Sequence, residues 1–223
     1  MAQDYNQECW DKKIQGYSQQ SWMNGPSPFA KLAQEYFPSG SKILELGAGV
    51  GADSLWFASR GHVTIITDAT DTFFPKIRQK LLKLNPEVNE RVDLRTLDVL
   101  MPFEIDDASL DVVYAHLILH YFDNDTMKRI ISEISRVLKP GGVLACLVNS
   151  QDDEEYDKNI ANSEDVIDVN GISKRFYTTE SLNQFTGNFE TLLLDNKGRT
   201  PKDDAVGNSG LIQFIGTKKQ EVK

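Results

Sequence analysis

Ile43-Leu44-Glu45-Leu46-Gly47-Ala48-Gly49-Val50-Gly51 decides how this chain is read. An apolar strand, Lys42–Leu46, passes straight into a glycine turn, and a helix over Ala52–Ser59 follows and stops at Gly61. A buried strand joined to a helix through glycines is the junction at which α/β sheets bind ligands, outside the carboxyl ends of their strands. Glycine there permits a tight turn and lets a ligand come close to the backbone.

The same alternation continues outward. Val63–Thr67 is β-branched and reads as a buried strand, and Phe73–Leu84 is helical, with Ile77, Leu81 and Leu84 on one face. Arg91–Leu97 and Leu110–Ala115 read as strands. Asp125–Leu138 is a helix with Ile130, Ile134, Val137 and Leu138 at helical intervals, capped by Asp123 or Asp125. Pro140-Gly141-Gly142 stops that helix and leads into the strand Val143–Val148. Such alternation predicts βαβ units with right-handed crossovers and helices on both faces. Upstream, Phe29 to Phe37 has helical spacing. Downstream, residues 151–170 are acidic and polar and read as a long solvated loop or short helix. Thr178–Phe185 reads as a helix, and Phe189–Leu194 and Leu211–Thr217 as strands. The expected fold is α/β: a doubly wound, mostly parallel seven-stranded Rossmann-like sheet with an antiparallel C-terminal edge pair. The expected organisation is one domain over 1–223, with an arm or lid at 1–38, a cofactor-binding core at 39–150 and a substrate-side segment at 151–223.

Composition narrows the function classes. The chain has 223 residues, 40% hydrophobic and 26% charged, with a formal net charge of −9. That balance argues against a nucleic-acid backbone as partner. The N-terminus lacks a basic region followed by an apolar stretch, and no apolar run reaches bilayer-spanning length. Cys9 and Cys146 show no metal-type spacing, and Cys146 lies in an apolar run as a small buried hydrophobe would. A reduced, cytoplasmic setting is the default expectation. Oligomeric state is not legible.

By itself the glycine run fits two cofactors. Gly47-x-Gly49 followed by Ala52 also satisfies the dinucleotide fingerprint, in which a pyrophosphate rests on the helix N-terminus. S-adenosylmethionine has no phosphate and carries a sulfonium cation, so a carboxylate at Glu45 suits it and is awkward beside a pyrophosphate. Asp68 ends the second strand, 21 residues after Gly47, where a carboxylate can accept both ribose hydroxyls; NAD enzymes use the same position. Asp98 follows the third strand and could accept the adenine amino group while the Val99 N–H reads a ring nitrogen. It could equally be a strand-end cap. An NAD(P)-dependent oxidoreductase and a non-catalytic ligand-binding protein are the competing readings.

These residues resemble the small-molecule class I S-adenosylmethionine-dependent methyltransferases, the type 11 and type 12 groups. The matching pieces are the run 45–51, Asp68, Asp98, Leu110-Asp111-Val112-Val113-Tyr114-Ala115-His116 and Ile134-Ser135-Arg136-Val137-Leu138-Lys139-Pro140-Gly141-Gly142, together spanning about residues 40–150. Three outer pieces are similar to the tellurite-resistance-type branch, whose substrate is not carried across: Trp10-Asp11-Lys12-Lys13, the run 116–122, and Gly171 to Thr178. One departure is Ala69 to Pro75, where Pro75 suits a first helical turn and implies a later helix start.

The resemblance implies methyl transfer from S-adenosylmethionine, with S-adenosylhomocysteine as product and a small molecule as acceptor. Glu45, Gly47, Ala48, Gly49 and Gly51 would hold the methionine part, Asp68 and Ala69 the ribose, and Asp98 and Val99 the adenine. Ala115 and His116 would lie beside the reacting methyl. His116 and His120 are the candidate catalytic residues. Spaced i, i+4, they would share a face on a helix, but no third ligand supports a metal. Trp10, Tyr17 and Trp22 could form a lid. Lys174 and Arg175 could attract an anionic acceptor or simply sit in a solvated loop.

Overall fold

The computed structural model describes residues 25–169, 171–200 and 208–220. Trp10, Tyr17, Trp22 and Cys9 lie outside the described residues. The elements in chain order are α1 (Pro28–Ala33), β1 (Lys42–Leu46), α2 (Ala52–Ser59), β2 (Val63–Asp68), α3 (Phe74–Leu81), α4 (Pro86–Asn89) and β3 (Val92–Thr96). They continue with β4 (Leu110–His116), α5 (Asn124–Val137), β5 (Leu138–Val148), β6 (Val166–Val169), β7 (Ile172–Arg175), α6 (Thr179–Thr186), β8 (Phe189–Thr200) and β9 (Asn208–Lys218). The seven-stranded sheet runs β3-β2-β1-β4-β5-β9-β8, and β6-β7 form a separate pair. β1 pairs in parallel with both β2 and β4, and β9 is antiparallel to β5 and β8. This is the doubly wound sheet with an antiparallel edge pair that the sequence predicts. Strand order reverses between β1 and β4, so their carboxyl ends open the crevice where such sheets hold ligands.

Alternation along the strands divides the core. Leu44, Leu46, Val113 and Ala115 pack under α5, whose Met127, Ile130, Ile131, Ile134 and Val137 form one apolar stripe. Ile43, Val112 and Tyr114 face the other way, against Phe29 of α1 and Phe57 of α2. Glu45 and His116 follow the same parity and therefore lie on this second face.

Local chemistry sets the boundaries. Asp123 caps α5 by accepting the Thr126 N–H at 2.8 Å. Pro75 does fall in the first turn of α3, which starts at Phe74. α5 ends at Val137, earlier than the Pro-Gly-Gly turn suggests, and Leu138 already belongs to β5. The cause is Pro140, which disfavours helix at Lys139 before it. Residues 139–142 bulge between the pairings Leu110↔Leu138 and Val112↔Val143. The run is held by Lys139, whose ammonium meets Asp111 Oδ1 at 2.6 Å, and by Gly142, where a Cβ would lie 2.9 Å from the Lys139 carbonyl. It sits at the end of β5 away from the crevice, so Lys139-Pro140-Gly141-Gly142 is a mark of the fold rather than of the ligand.

The acidic stretch is corrected by the structure. It contains β6, which pairs antiparallel with β7. Asp168 Oδ1 accepts the Gly171 N–H at 2.7 Å in the turn, and Ile167 is buried. Lys174 and Arg175 are buried, not solvated, and their charges are already engaged. Lys174 pairs with Glu155. Arg175 donates to Glu164 Oε2 at 2.6 Å, to the Glu164 carbonyl at 3.0 Å and to Asn124 Oδ1 at 2.7 Å. The pair clasps the hairpin to its own acidic loop and to the start of α5, which leaves little charge to attract an anion.

Candidate cofactor and acceptor site

Gly47 takes φ +64°, a backbone conformation that costs a residue with a Cβ roughly 1–2 kcal/mol. A Cβ built there would lie 2.3 Å from Ile118 Cδ1. Gly49 and Gly51 share the positive φ, and the chain thus curls from β1 into α2. The Ala48 N–H donates to the Thr67 carbonyl at 2.8 Å, and Thr67 Oγ1 donates to the Glu45 carbonyl at 2.6 Å. These two bonds tie the loop to the end of β2.

Glu45 is 4% exposed, and among the described residues its carboxylate is held by the Ser54 N–H, which donates to Oε2 at 3.2 Å. Burial, reinforced by the charge of Asp53, pushes this carboxyl well above its usual range. A carboxylate this buried and this thinly supported suits a ligand that brings a cation. Asp68 accepts the Gly49 N–H at 2.8 Å from the end of β2 and remains partly exposed. Ala69 next to it is exposed. Asp98 is exposed and accepts the Leu100 N–H at 2.9 Å, the strand-end cap that the sequence allowed; its second oxygen is not used in that turn. Val99 is partly buried against the α5 side of the core. The Leu97 N–H donates to the Asp68 carbonyl at 2.8 Å, which draws the ends of β2 and β3 together. Ala115 is fully buried, opposite Leu46 in the register of β1 and β4.

His116 ends β4, and its Nε2 is buried without a hydrogen-bond partner. The ring lies parallel to Tyr114 at 6.3 Å and within 18° of parallel to Phe29 at 6.4 Å. Burial lowers its pKa, opposed by the charge of Asp53, so the imidazole tends to the neutral form that can accept a proton. Leu117 follows with φ +57°, a strained value for leucine, and turns the chain out of the strand. His120 lies beyond this break in a 3-10 turn, Leu119–Tyr121, is 1% exposed, and packs 4.0 Å from the Tyr121 ring. The two histidines share no helix face, because a strand end and a kink separate them. Among the described residues no group of three His, Cys, Asp or Glu is placed to hold a metal, and no helix is long and apolar enough to cross a membrane.

Sequence reasoning missed one cluster. Asp53, in the first turn of α2, is 5% exposed and accepts three hydrogen bonds: Ser27 N–H at 2.6 Å, Ser27 Oγ at 2.9 Å and Tyr114 OH at 2.7 Å. Tyr114 is the register partner of Glu45. The only sequence signal was an acid two residues after the last glycine of the loop; its partners stand 26 and 61 residues away.

A family described as a methyltransferase domain matches residues 43–142. Phosphoethanolamine N-methyltransferase 1 of Triticum aestivum is 27% identical over 165 residues, covering 71% of this chain and 31% of that protein. The chain spans less than half the length of the curated relatives it matches. The fold also matches the S-adenosylmethionine-dependent methyltransferase of Methanosarcina mazei, with TM-score 0.68, 21% identity and coverage of 85% of this chain and 98% of that one. The Burkholderia thailandensis 1,6-didemethyltoxoflavin-N1-methyltransferase, solved with 1,6-didemethyltoxoflavin and S-adenosylhomocysteine, aligns with TM-score 0.71 and 16% identity over 99% of this chain and 92% of its own. Residues 43–142 thus match a methyltransferase-domain family, and the fold is the one shared with solved S-adenosylmethionine-dependent methyltransferases.

Proposed function

We propose that this chain transfers the methyl group of S-adenosylmethionine to a small-molecule acceptor by in-line displacement. The observation that carries the reading is the buried, sparsely hydrogen-bonded Glu45 beneath the glycine turn. A pyrophosphate would be repelled there, whereas the ammonium and sulfonium of the methionine part are attracted. The cofactor supplies the electrophilic methyl group; the protein aligns and shields it. Glu45, Gly47, Ala48, Gly49 and Gly51 hold the methionine part. Asp68 and Ala69 face the ribose, and Asp98 and Val99 the adenine. Ala115 forms the floor beside the methyl. His116 offers its unpartnered Nε2 to the acceptor, as an orienting group or as a base where the acceptor must lose a proton. His120, buried in the adjoining turn, supports that wall rather than meeting the acceptor. Relatives that act on phosphoethanolamine and on 1,6-didemethyltoxoflavin, by their names, support a small-molecule acceptor.

Calorimetry with S-adenosylhomocysteine and NADH tests the cofactor. We expect S-adenosylhomocysteine alone to bind, and Asp68→Ala to weaken it at least ~10-fold, the loss of about one charge-assisted hydrogen bond. Binding of NADH alone, or unchanged affinity in D68A, would sink the assignment.

A further inference from the structure

Two buried carboxylates lie beneath the glycine turn where one suffices to meet a methionine ammonium. Glu45 and Asp53 are 4% and 5% exposed. Geometry joins them twice. Tyr114, opposite Glu45 in the register of β1 and β4, donates its hydroxyl to Asp53 at 2.7 Å. Ser54, the residue after Asp53, donates its N–H to Glu45 at 3.2 Å. The two acids differ in support. Three donors, two of them from Ser27 at the head of α1, compensate a charge on Asp53. Burial, then Asp53 itself, keeps the Tyr114 phenol well above its usual range, so it remains a donor. Glu45 has far less support, and the groups facing it are Asp53 and Ser54 from α2, Tyr114 and His116 from β4, and Asp68 from β2. Among them only His116 can become cationic, and burial disfavours that form. Among the described residues, the pocket is therefore short of positive charge.

We propose that Asp53 is a specificity-determining residue: its fixed negative charge, acting with Glu45, makes the site prefer the cationic sulfonium of S-adenosylmethionine to the neutral thioether of S-adenosylhomocysteine, and so favours release of the product. This rests on the cofactor reading above. Asp53 has no need to touch the ligand. A buried charge acts over several ångströms where the effective dielectric is far below that of water. The same field holds the Glu45 carboxyl above its usual range, and an incoming sulfonium works against that shift, so cation binding is coupled to proton release.

Titration calorimetry of S-adenosylmethionine and S-adenosylhomocysteine against the wild-type chain, Asp53→Asn and Tyr114→Phe tests this. D53N is expected to weaken S-adenosylmethionine ~10-fold and S-adenosylhomocysteine ~2-fold or less, for the loss of one buried charge. Y114F keeps that charge and should weaken both ligands by one common factor. In the wild type, titration in two buffers of different ionisation enthalpy should show more protons released by S-adenosylmethionine than by S-adenosylhomocysteine; this comparison decides the matter if D53N does not fold. An unchanged ratio in D53N, a ratio shifted equally by Y114F, or equal proton release overturns the proposal while leaving the cofactor reading intact. Failure of both ligands to bind the wild type overturns the cofactor reading as well.

Discussion

Gly47→Ala tests the geometry on which the site depends. Two costs add. The residue keeps φ +64°, worth roughly 1–2 kcal/mol against any side chain with a Cβ. The new methyl would also meet Ile118 Cδ1 at 2.3 Å, and overpacking of this kind costs about 1–3 kcal/mol. The expected loss is about 2–5 kcal/mol in chemical denaturation. Gly40→Ala is the internal control, because Gly40 has φ +70° and nothing within 4 Å of its would-be Cβ. It should cost only the backbone share, about 1–2 kcal/mol. Ile118→Val removes the clashing atom alone, at about 0.5–1.5 kcal/mol by itself. The double variant G47A/I118V should therefore be no less stable than G47A, a coupling of about 1–2 kcal/mol between neighbours. Cofactor affinity, by contrast, should stay low in both, because the loop backbone stays strained. If G47A costs no more than G40A, or if I118V adds its full cost on top of G47A, then Ile118 does not pack over the turn and the crevice described above is wrong.

Two further perturbations follow from the charges. Glu45 has a raised pKa, so its contribution to stability is present while it is protonated and is lost as pH rises through the folded value. Glu45→Gln is a permanently neutral isostere. It should match the wild type in acid and melt higher, on the order of 3 °C, at neutral to basic pH, while binding S-adenosylmethionine poorly; a melting difference that does not move with pH refutes this. Arg175→Met removes three hydrogen bonds from a buried guanidinium and should cost about 1–3 kcal/mol and speed proteolysis within residues 151–170. Glu164→Gln leaves the backbone and Asn124 contacts in place and should cost ~1 kcal/mol or less, so equal losses in the two variants would show that the hairpin is not held by Arg175.

The sequence was readable where the signal was local. β-branched strands, helical stripes and a glycine turn after a buried strand are short-range patterns, and every strand of the seven-stranded sheet contains the segment they mark, although β5 starts five residues earlier and β8 runs six residues further. The miscues have a common physical cause. Val166-Ile167-Asp168-Val169 is a good strand embedded in acids, and its acidic surroundings dominate a composition-based reading until Arg175 and Lys174 are seen to absorb them. The spacing of His116 and His120 suggested a helix face because a kink at Leu117 leaves no trace in hydropathy. Asp53 was passed over because hydrogen bonds from Ser27 and Tyr114, not sequence neighbours, define it.

The acids of the crevice illustrate why residue type alone does not assign roles. Glu45, Asp53 and Asp68 are all carboxylates at the end of the sheet near the glycine turn. Asp53 is saturated by fixed donors, so replacing water around it with protein has already been compensated, and a ligand gains little by touching it. Asp68 accepts the Gly49 N–H and stays partly exposed, so its carboxylate lies within reach of a ligand hydroxyl. Glu45 is buried with one long hydrogen bond, so it gains most from an incoming cation. The order of support, most for Asp53 and least for Glu45, is thus also an order of chemical availability. It predicts that ligand charge is sensed at Glu45, ligand hydroxyls at Asp68, and that Asp53 acts on both only through its field.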